Sequence, residues 1–194
     1  MTEGRVFVWD TTGPAYAWFC ERCDSLLEAA GTEDRRHVLP SVVVDELREL
    51  GTGEWKDSGF DIVDRDAFTE LDDIRELTAW CQQLGTDLSE GHNAGEAFVA
   101  LIASREEGAV AIIDDKDAKK VVSKSDGPPV HGVLWAISRG VIEGRKPSPS
   151  SCSGLVDAML AVEPTQDLSP LRWPLQRGDY NKWFDKNEKK LRRI

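Results

Sequence analysis

The chain has little histidine and no long apolar run, and both absences narrow what it can be. Only three histidines occur among 194 residues, and none is spaced from another as a pair of metal ligands, so a histidine-based metal site is not expected. No run of about 18 apolar residues exists, so we expect no membrane span. The N-terminal MTEGRVFVWD lacks an apolar segment after a basic start, so we expect no signal peptide and a cytoplasmic protein.

Cysteine is also sparse, and two of the four form a CxxC pair, Cys20 and Cys23. That spacing occurs in zinc sites and redox centres, but no second CxxC or HxxxH follows to complete a zinc site. Both cysteines lie in a predicted helix over residues 15–30, where a spacing of three puts side chains on one face. We therefore favour reduced thiols in a cytosolic protein.

Positive charge is scarce except at the C-terminal end. The net charge is -11, which argues against passive coating of nucleic acid. Residues 171–194 nevertheless hold eight Lys/Arg against three Asp/Glu, a net +5, which leaves -16 for residues 1–170. This pattern favours an acidic site in the body and a separate arm that attracts anions or a partner, although a solvated helix end would explain it too.

Strands and helices alternate along the chain. Apolar runs predict strands at 5–10, 37–40, 60–64 and 109–114, with a brief one within 127–131. Helical spacing predicts helices at 15–30, 41–50, 67–84, 93–108, 117–125, 132–142 and 155–163, with a loop at 146–154. This alternation predicts an α/β fold in which helices cover both faces of a central, mostly parallel sheet.

Acidic residues cluster at the predicted functional edge of that sheet. Asp10 ends the first strand, and Asp114, followed by Asp115, ends the most apolar strand. In such sheets ligands bind outside the carboxyl ends of the strands, near the switch in strand order. Glu46 and Glu96 lie early on helices beside these strands. A turn-initiating Asp or an acid near a helix N-terminus would explain each residue singly.

Four acids meeting at one crevice would repel one another unless a cation neutralised them. Oxygen ligands without His or Cys indicate Mg²⁺ or Mn²⁺, and such an ion can promote attack of water on a phosphodiester. Lys116, Lys119 and Lys120 follow the last acid and are candidates for binding substrate phosphates. A solvated helix face would explain the three lysines without any substrate.

At these residues the sequence resembles the PIN-domain family. Four segments of the chain, VFVWDTT, LPSVVVDEL, GEAFVALIA and AIIDDKDAKKV, are similar to the four acidic motifs of that family. The segment HGVLWAISRGVI that follows is similar to a helix seen after the family's fourth motif. The resemblance covers residues 5–163 and implies a three-layer α/β/α sandwich and a Mg²⁺- or Mn²⁺-dependent endoribonuclease. Residues 1–165 would form the nuclease domain, and residues 166–194 a basic, Trp-containing extension unlike the family's usual ending.

The resemblance also assigns roles to individual residues. Asp10, Glu46, Glu96 and Asp114 match the four acidic positions. Asp10, Glu96 and Asp114 would hold the metal, with Glu46 completing the shell or holding a second ion. Asp115 matches the second acid of a variant with paired aspartates and would be a further metal ligand, and Thr12 matches a supporting hydroxyl. Asp45 lies beside Glu46, so either could face the site.

The resemblance also implies partners, and the sequence allows functions other than that of a nuclease to be compared with it. Many bacterial PIN proteins are toxins, often dimeric and inhibited by a small antitoxin, so the implied partners are RNA, an antitoxin and a second copy of the chain. A phosphatase is disfavoured because position 12 is Thr where a DxD would need Asp, and a receiver domain because the acidic pair comes late. A PIN-like module that binds a partner or RNA without cutting is the remaining alternative.

Aromatic residues accompany the basic C-terminal segment. Trp173 and Trp183 lie beside Tyr180 and Phe184 among Lys and Arg residues. Such side chains can stack on bases or anchor a helix to the body or to a partner. We favour anchoring.

Overall fold

The computed structural model describes residues 5–31, 35–86, 94–124, 126–144, 148–164, 168 and 170–193. Within these residues the chain forms a three-layer α/β/α sandwich around one five-stranded sheet. The strands are β1 (Val6–Trp9), β2 (Arg36–Pro40), β3 (Asp61–Val63), β4 (Ala109–Ile112) and β5 (Val130–His131). Their order is β3-β2-β1-β4-β5, and every neighbouring pair is parallel. The predicted fold class is confirmed.

The two central strands are the most apolar in the sheet. All four residues of β1, VFVW, and all four of β4, AVAI, are buried, as expected for strands covered on both faces. The edge strands β3 and β5 are only three and two residues long. Because β2 and β3 lie on one side of β1 and β4 and β5 on the other, the strand order switches between β1 and β4.

Helices cover both faces of the sheet in the described parts of the chain. They are α1 (Thr12–Phe19), α2 (Cys23–Ala30), α3 (Ser41–Glu49), α4 (Leu71–Leu84), α5 (Ala94–Arg105), α6 (Lys116–Val122), α7 (Val133–Ile142), α8 (Pro149–Met159) and α9 (Tyr180–Leu191). A short 3-10 helix spans Arg65–Ala67. In the described chain, none of these helices has the length and apolar character needed to cross a bilayer.

The two helical layers differ in what they contact. On one face α5 packs on β1, β2 and β4, with α3 and α4 beside it. On the other face α2 packs against α7, whose Trp135 ring lies 5.5 Å from the Phe7 ring of β1. The last helix, α9, packs against α7 and α8. The C-terminal segment is therefore joined to the same layer as α7.

Several predicted helix boundaries were wrong, and the largest differences concern the helices predicted at 15–30 and 155–163. The helix predicted over residues 15–30 is two helices, α1 and α2, separated by a turn in which Glu21 adopts a left-handed backbone with φ of 57°. Cys20 ends the first helix and Cys23 begins the second, so the CxxC pair does not share a helix face. Helix α8 begins inside the predicted loop at 146–154, because the Ser148 hydroxyl caps it by accepting the Ser151 N–H.

The two cysteines of the pair are both free thiols. Burial raises the pKa of both, and that of Cys23 to about 12. Each therefore stays protonated at neutral pH, which agrees with the interpretation as reduced, unreactive thiols.

Candidate functional site

The candidate site lies at the carboxyl ends of β1 and β4, where the strand order switches. Asp10 directly follows β1, and its backbone N–H donates to the Ile112 carbonyl of β4 at 2.9 Å. Asp114 follows β4 by one further residue. The two strands that are followed by predicted site acids, β1 and β4, are therefore neighbours, which the prediction of one common acidic site needs. We call Asp10, Glu46, Glu96 and Asp114 the acidic group.

Asp10 is the most buried member of the acidic group, with 5% of its surface exposed. Burial raises the pKa of its carboxyl well above the usual value, and the charges of Glu96, Glu46 and Asp114 raise it further, in that order. A hydrogen bond from the Thr11 backbone acts in the opposite direction. All three other acids thus lie close enough to Asp10 to affect its ionisation.

Glu46 is held against the site by two donors. The Thr11 hydroxyl donates to Oε2, and the Gly95 backbone N–H donates to Oε1 at 3.2 Å. A Cβ on Gly95 would lie 2.9 Å from both of these oxygens, so glycine is what admits the carboxylate to this position. Asp45 instead points to Arg48 and Arg65, at 3.5 and 4.0 Å, on the exposed side of α3. Of the two adjacent acids, Glu46 is the one that faces the site.

Glu96 lies in the first turn of α5 and is partly buried. Burial raises the pKa of its carboxyl to about 7, and the charges of Glu46 and Asp115 add to that rise, while a backbone hydrogen bond opposes it. The position of Glu96 near the helix N-terminus is explained by the favourable interaction of an acid with the helix dipole. That interaction does not account for a carboxylate whose neighbours make ionisation unfavourable.

Asp114 is bound on the side of the site formed by α7 and the C-terminal segment. Its Oδ1 accepts the Val133 backbone N–H at 3.0 Å and lies 3.8 Å from the Lys119 Nζ. Its Oδ2 accepts the indole N–H of Trp173 at 2.6 Å. A Cβ on Gly132 would lie 2.5 Å from Oδ1, so this approach also depends on a glycine.

Two predicted residues have other contacts. Asp115 caps α6, because its Oδ1 accepts the backbone N–H groups of Asp117 and Ala118 at 2.9 and 2.7 Å. That contact explains Asp115 without a metal, so its role as a ligand stays a prediction. The hydroxyl found against the acidic group belongs to Thr11, whereas Thr12 is the first residue of α1.

Of the lysines predicted to bind phosphate, only Lys119 contacts the acidic group. Lys116 and Lys120 are exposed on α6. The predicted anchoring of the C-terminal aromatics is confirmed. Tyr180 and Phe184 are buried, and the Tyr180 hydroxyl lies 2.9 Å from the Ser138 hydroxyl of α7.

Sequence reasoning did not find Gly132, Val133 or the role of Trp173. A glycine and a backbone N–H give no signal in the sequence that they contact Asp114, and Trp173 is 59 residues from Asp114 along the chain. The only available signal was an aromatic residue in a segment unlike the family's usual ending.

The acidic group does not form a complete metal-binding cluster within the described residues. Across the described residues, no three His, Cys, Asp or Glu side chains lie together closely enough to hold a metal ion. The acidic group therefore supplies hard oxygen donors around one crevice, but not a closed coordination shell. Its donor chemistry, including a buried aspartate repelled by three neighbours, fits a divalent cation.

Comparison with known proteins adds no relative. No protein-family model matches the chain. No curated protein and no solved structure matches it either. The PIN-domain resemblance therefore rests on the motifs alone.

Proposed function

We propose that this protein is a Mg²⁺- or Mn²⁺-dependent endoribonuclease of the PIN-domain type. One observation carries the proposal: four acids from two strand ends and two helices converge on the switch point of the sheet, where burial and the charges of neighbouring acids raise the pKa of Asp10 and Glu96. A protein gains nothing in stability from such repulsion, so the arrangement is best explained by a cation that the group binds.

Each acid has a distinct part in this proposal. Asp10, Glu96 and Asp114 hold the first ion, and Glu46 completes the shell or holds a second. The bound ion supplies the positive charge that stabilises the transition state of phosphodiester hydrolysis. The four carboxylates would supply the hard oxygen donors that such an ion prefers.

The surrounding residues set the geometry of the site. The Thr11 hydroxyl and the Gly95 N–H fix both oxygens of Glu46, so this side chain is oriented before any substrate arrives. Lys119 places a positive charge beside Asp114, where it also attracts a substrate phosphate. Attack of water at phosphorus, with cleavage of the bond to the 3′ oxygen, would leave a 5′-phosphate and a 3′-hydroxyl.

The test is Asp114→Asn, measured by calorimetric titration with Mn²⁺ and by cleavage of a single-stranded RNA. We expect this variant to keep its fold, to lose most of its Mn²⁺ affinity and to lose metal-dependent cleavage. Asp45→Asn is the matched control, because the ion pairs of Asp45 with Arg48 and Arg65 are exposed and of small energetic value. Wild-type cleavage by Asp114→Asn would end the assignment.

A second candidate is a PIN-like module that binds RNA or a protein without cutting. It is favoured because, among the described residues, no three His, Cys, Asp or Glu side chains lie close enough together to hold a metal ion. The titration separates the two, since an inert module shows no Mn²⁺ binding that depends on Asp10 and Asp114. The toxin role, the antitoxin and the dimer stay predictions from the resemblance.

A further inference from the structure

The contact between Trp173 and Asp114 joins the C-terminal segment to the acidic group. The indole Nε1 lies 2.6 Å from Oδ2, and the two residues are 59 positions apart. A hydrogen bond to an ionised carboxylate is shorter and stronger than one between neutral groups. The tryptophan is half-buried and packs against the hydrophobic core, so its ring is held as well as its N–H.

The donors around Asp114 fix the direction of its carboxylate. The Val133 N–H binds one oxygen and the Trp173 N–H binds the other, so rotation about the last bond of the side chain would break both contacts. Each carboxylate oxygen has a second lone pair that these donors leave available. Donors placed in this way orient metal-ligating carboxylates and strengthen metal binding.

The segment that carries Trp173 is secured on both sides. Leu168 before it and Tyr180 after it are buried. The Gly178 N–H donates to Asp157 of α8 at 2.6 Å, and the Arg192 guanidinium donates to the Ile142 carbonyl of α7 at 3.0 Å. The tryptophan is thus fixed by the packing of α9 on α7 and α8.

We propose that Trp173 is a positioning residue, whose indole N–H sets the Asp114 carboxylate for a divalent cation. The C-terminal segment, of which the structure describes residues 168 and 170–193, then helps to form the site rather than being an appendage to a complete nuclease domain. The inference rests on the proposed function, because it assigns Asp114 to a metal.

The test compares Trp173→Phe with Trp183→Phe. Phenylalanine keeps an aromatic ring but removes the indole N–H together with the second ring of the indole. Trp183 is the matched control because it loses the same ring volume, lies in the same segment and is packed against the core. The first readout needs no metal: the indole N–H signal that disappears in Trp173→Phe should shift in Asp114→Asn. The second is Mn²⁺ titration by calorimetry, with RNA cleavage measured alongside.

We expect Trp173→Phe to stay folded and to bind Mn²⁺ about tenfold more weakly, as the loss of one charge-assisted hydrogen bond implies. Trp183→Phe should bind like the wild type. Equal or tighter Mn²⁺ binding by Trp173→Phe, with wild-type binding intact, would overturn the positioning role alone. A wild-type protein that binds no Mn²⁺ would overturn the proposed function, and the positioning role with it.

Discussion

Replacing Glu96 by Gln should make the metal-free protein more stable at pH 8. The glutamate is partly buried next to Glu46 and Asp115, and its pKa in the folded state is about 7, above its ordinary value of 4.5. At pH 8 the folded protein must therefore carry a charge that its surroundings disfavour, whereas the unfolded chain carries it in water. Glutamine keeps the shape of the side chain and removes that charge.

The size of the effect follows from the shift in pKa. The difference of about 2.5 units corresponds to about 3 kcal/mol. Since part of it is repulsion shared with neighbouring acids, we expect a gain of about 1–3 kcal/mol in the free energy of unfolding. The pKa is raised on folding, so the favourable contribution of Glu96 is full below pH 4.5 and is lost as the pH rises through 7. The advantage of the variant should shrink to less than about 1 kcal/mol at pH 5.

Urea denaturation in EDTA, at pH 5 and at pH 8, measures this difference directly. Glu49→Gln on the exposed side of α3 is the matched control and should change stability equally little at both pH values. A Glu96→Gln variant that is no more stable than wild type at pH 8 would show that burial and the neighbouring acids do not disfavour the ionised Glu96 as described, whatever the protein's activity.

Two further variants test neighbouring parts of the site. Gly95→Ala places a Cβ 2.9 Å from both Glu46 oxygens. Because the flexible Glu46 side chain can move aside, we expect the free energy of unfolding to change by no more than about 1 kcal/mol. Calorimetry should show weaker Mn²⁺ binding. Combining it with Glu46→Gln should add little further loss, and full additivity would refute the shared mechanism. The double variant Lys186→Glu/Lys189→Glu reverses two exposed charges of α9. We expect it to bind RNA more weakly, and the salt dependence of its RNA affinity should correspond to about one to two fewer phosphate contacts. Lys56→Glu, also at an exposed position, is the control. RNA binding unchanged from wild type would exclude α9 from the substrate path.

Much of the fold could be predicted because its signals are local. The apolar runs of β1 and β4 are long enough to be strands and are bounded by acids and turns. The break between α1 and α2 was missed because Glu21 adopts a left-handed backbone without the glycine or proline that usually marks a turn. Tertiary packing decides such a position.

The acidic group was predicted in composition but not in orientation. Asp10 and Asp114 follow neighbouring strands, yet Trp9 pairs with Ile112, so Asp10 is one residue past that pair and Asp114 is two. Both acids lie past the strand ends, where Asp114 contacts the start of α7 and Glu96 of α5 has the largest charge effect on Asp10. Register is set by the assembled sheet, and no local pattern in either strand reveals it.

The contact from Trp173 has a practical consequence for shortened versions of the protein. A truncation after residue 165, the boundary that sequence alone suggests, would keep every carboxylate of the acidic group. It would also remove the donor on Asp114 Oδ2 and uncover Ser138, now fully buried beneath Tyr180. Such a fragment would have the expected composition of a nuclease domain. Its Asp114 would lack one hydrogen bond, however, and the surface of α7 that Tyr180 covers would be exposed, so inactivity of the fragment would say nothing about the intact chain.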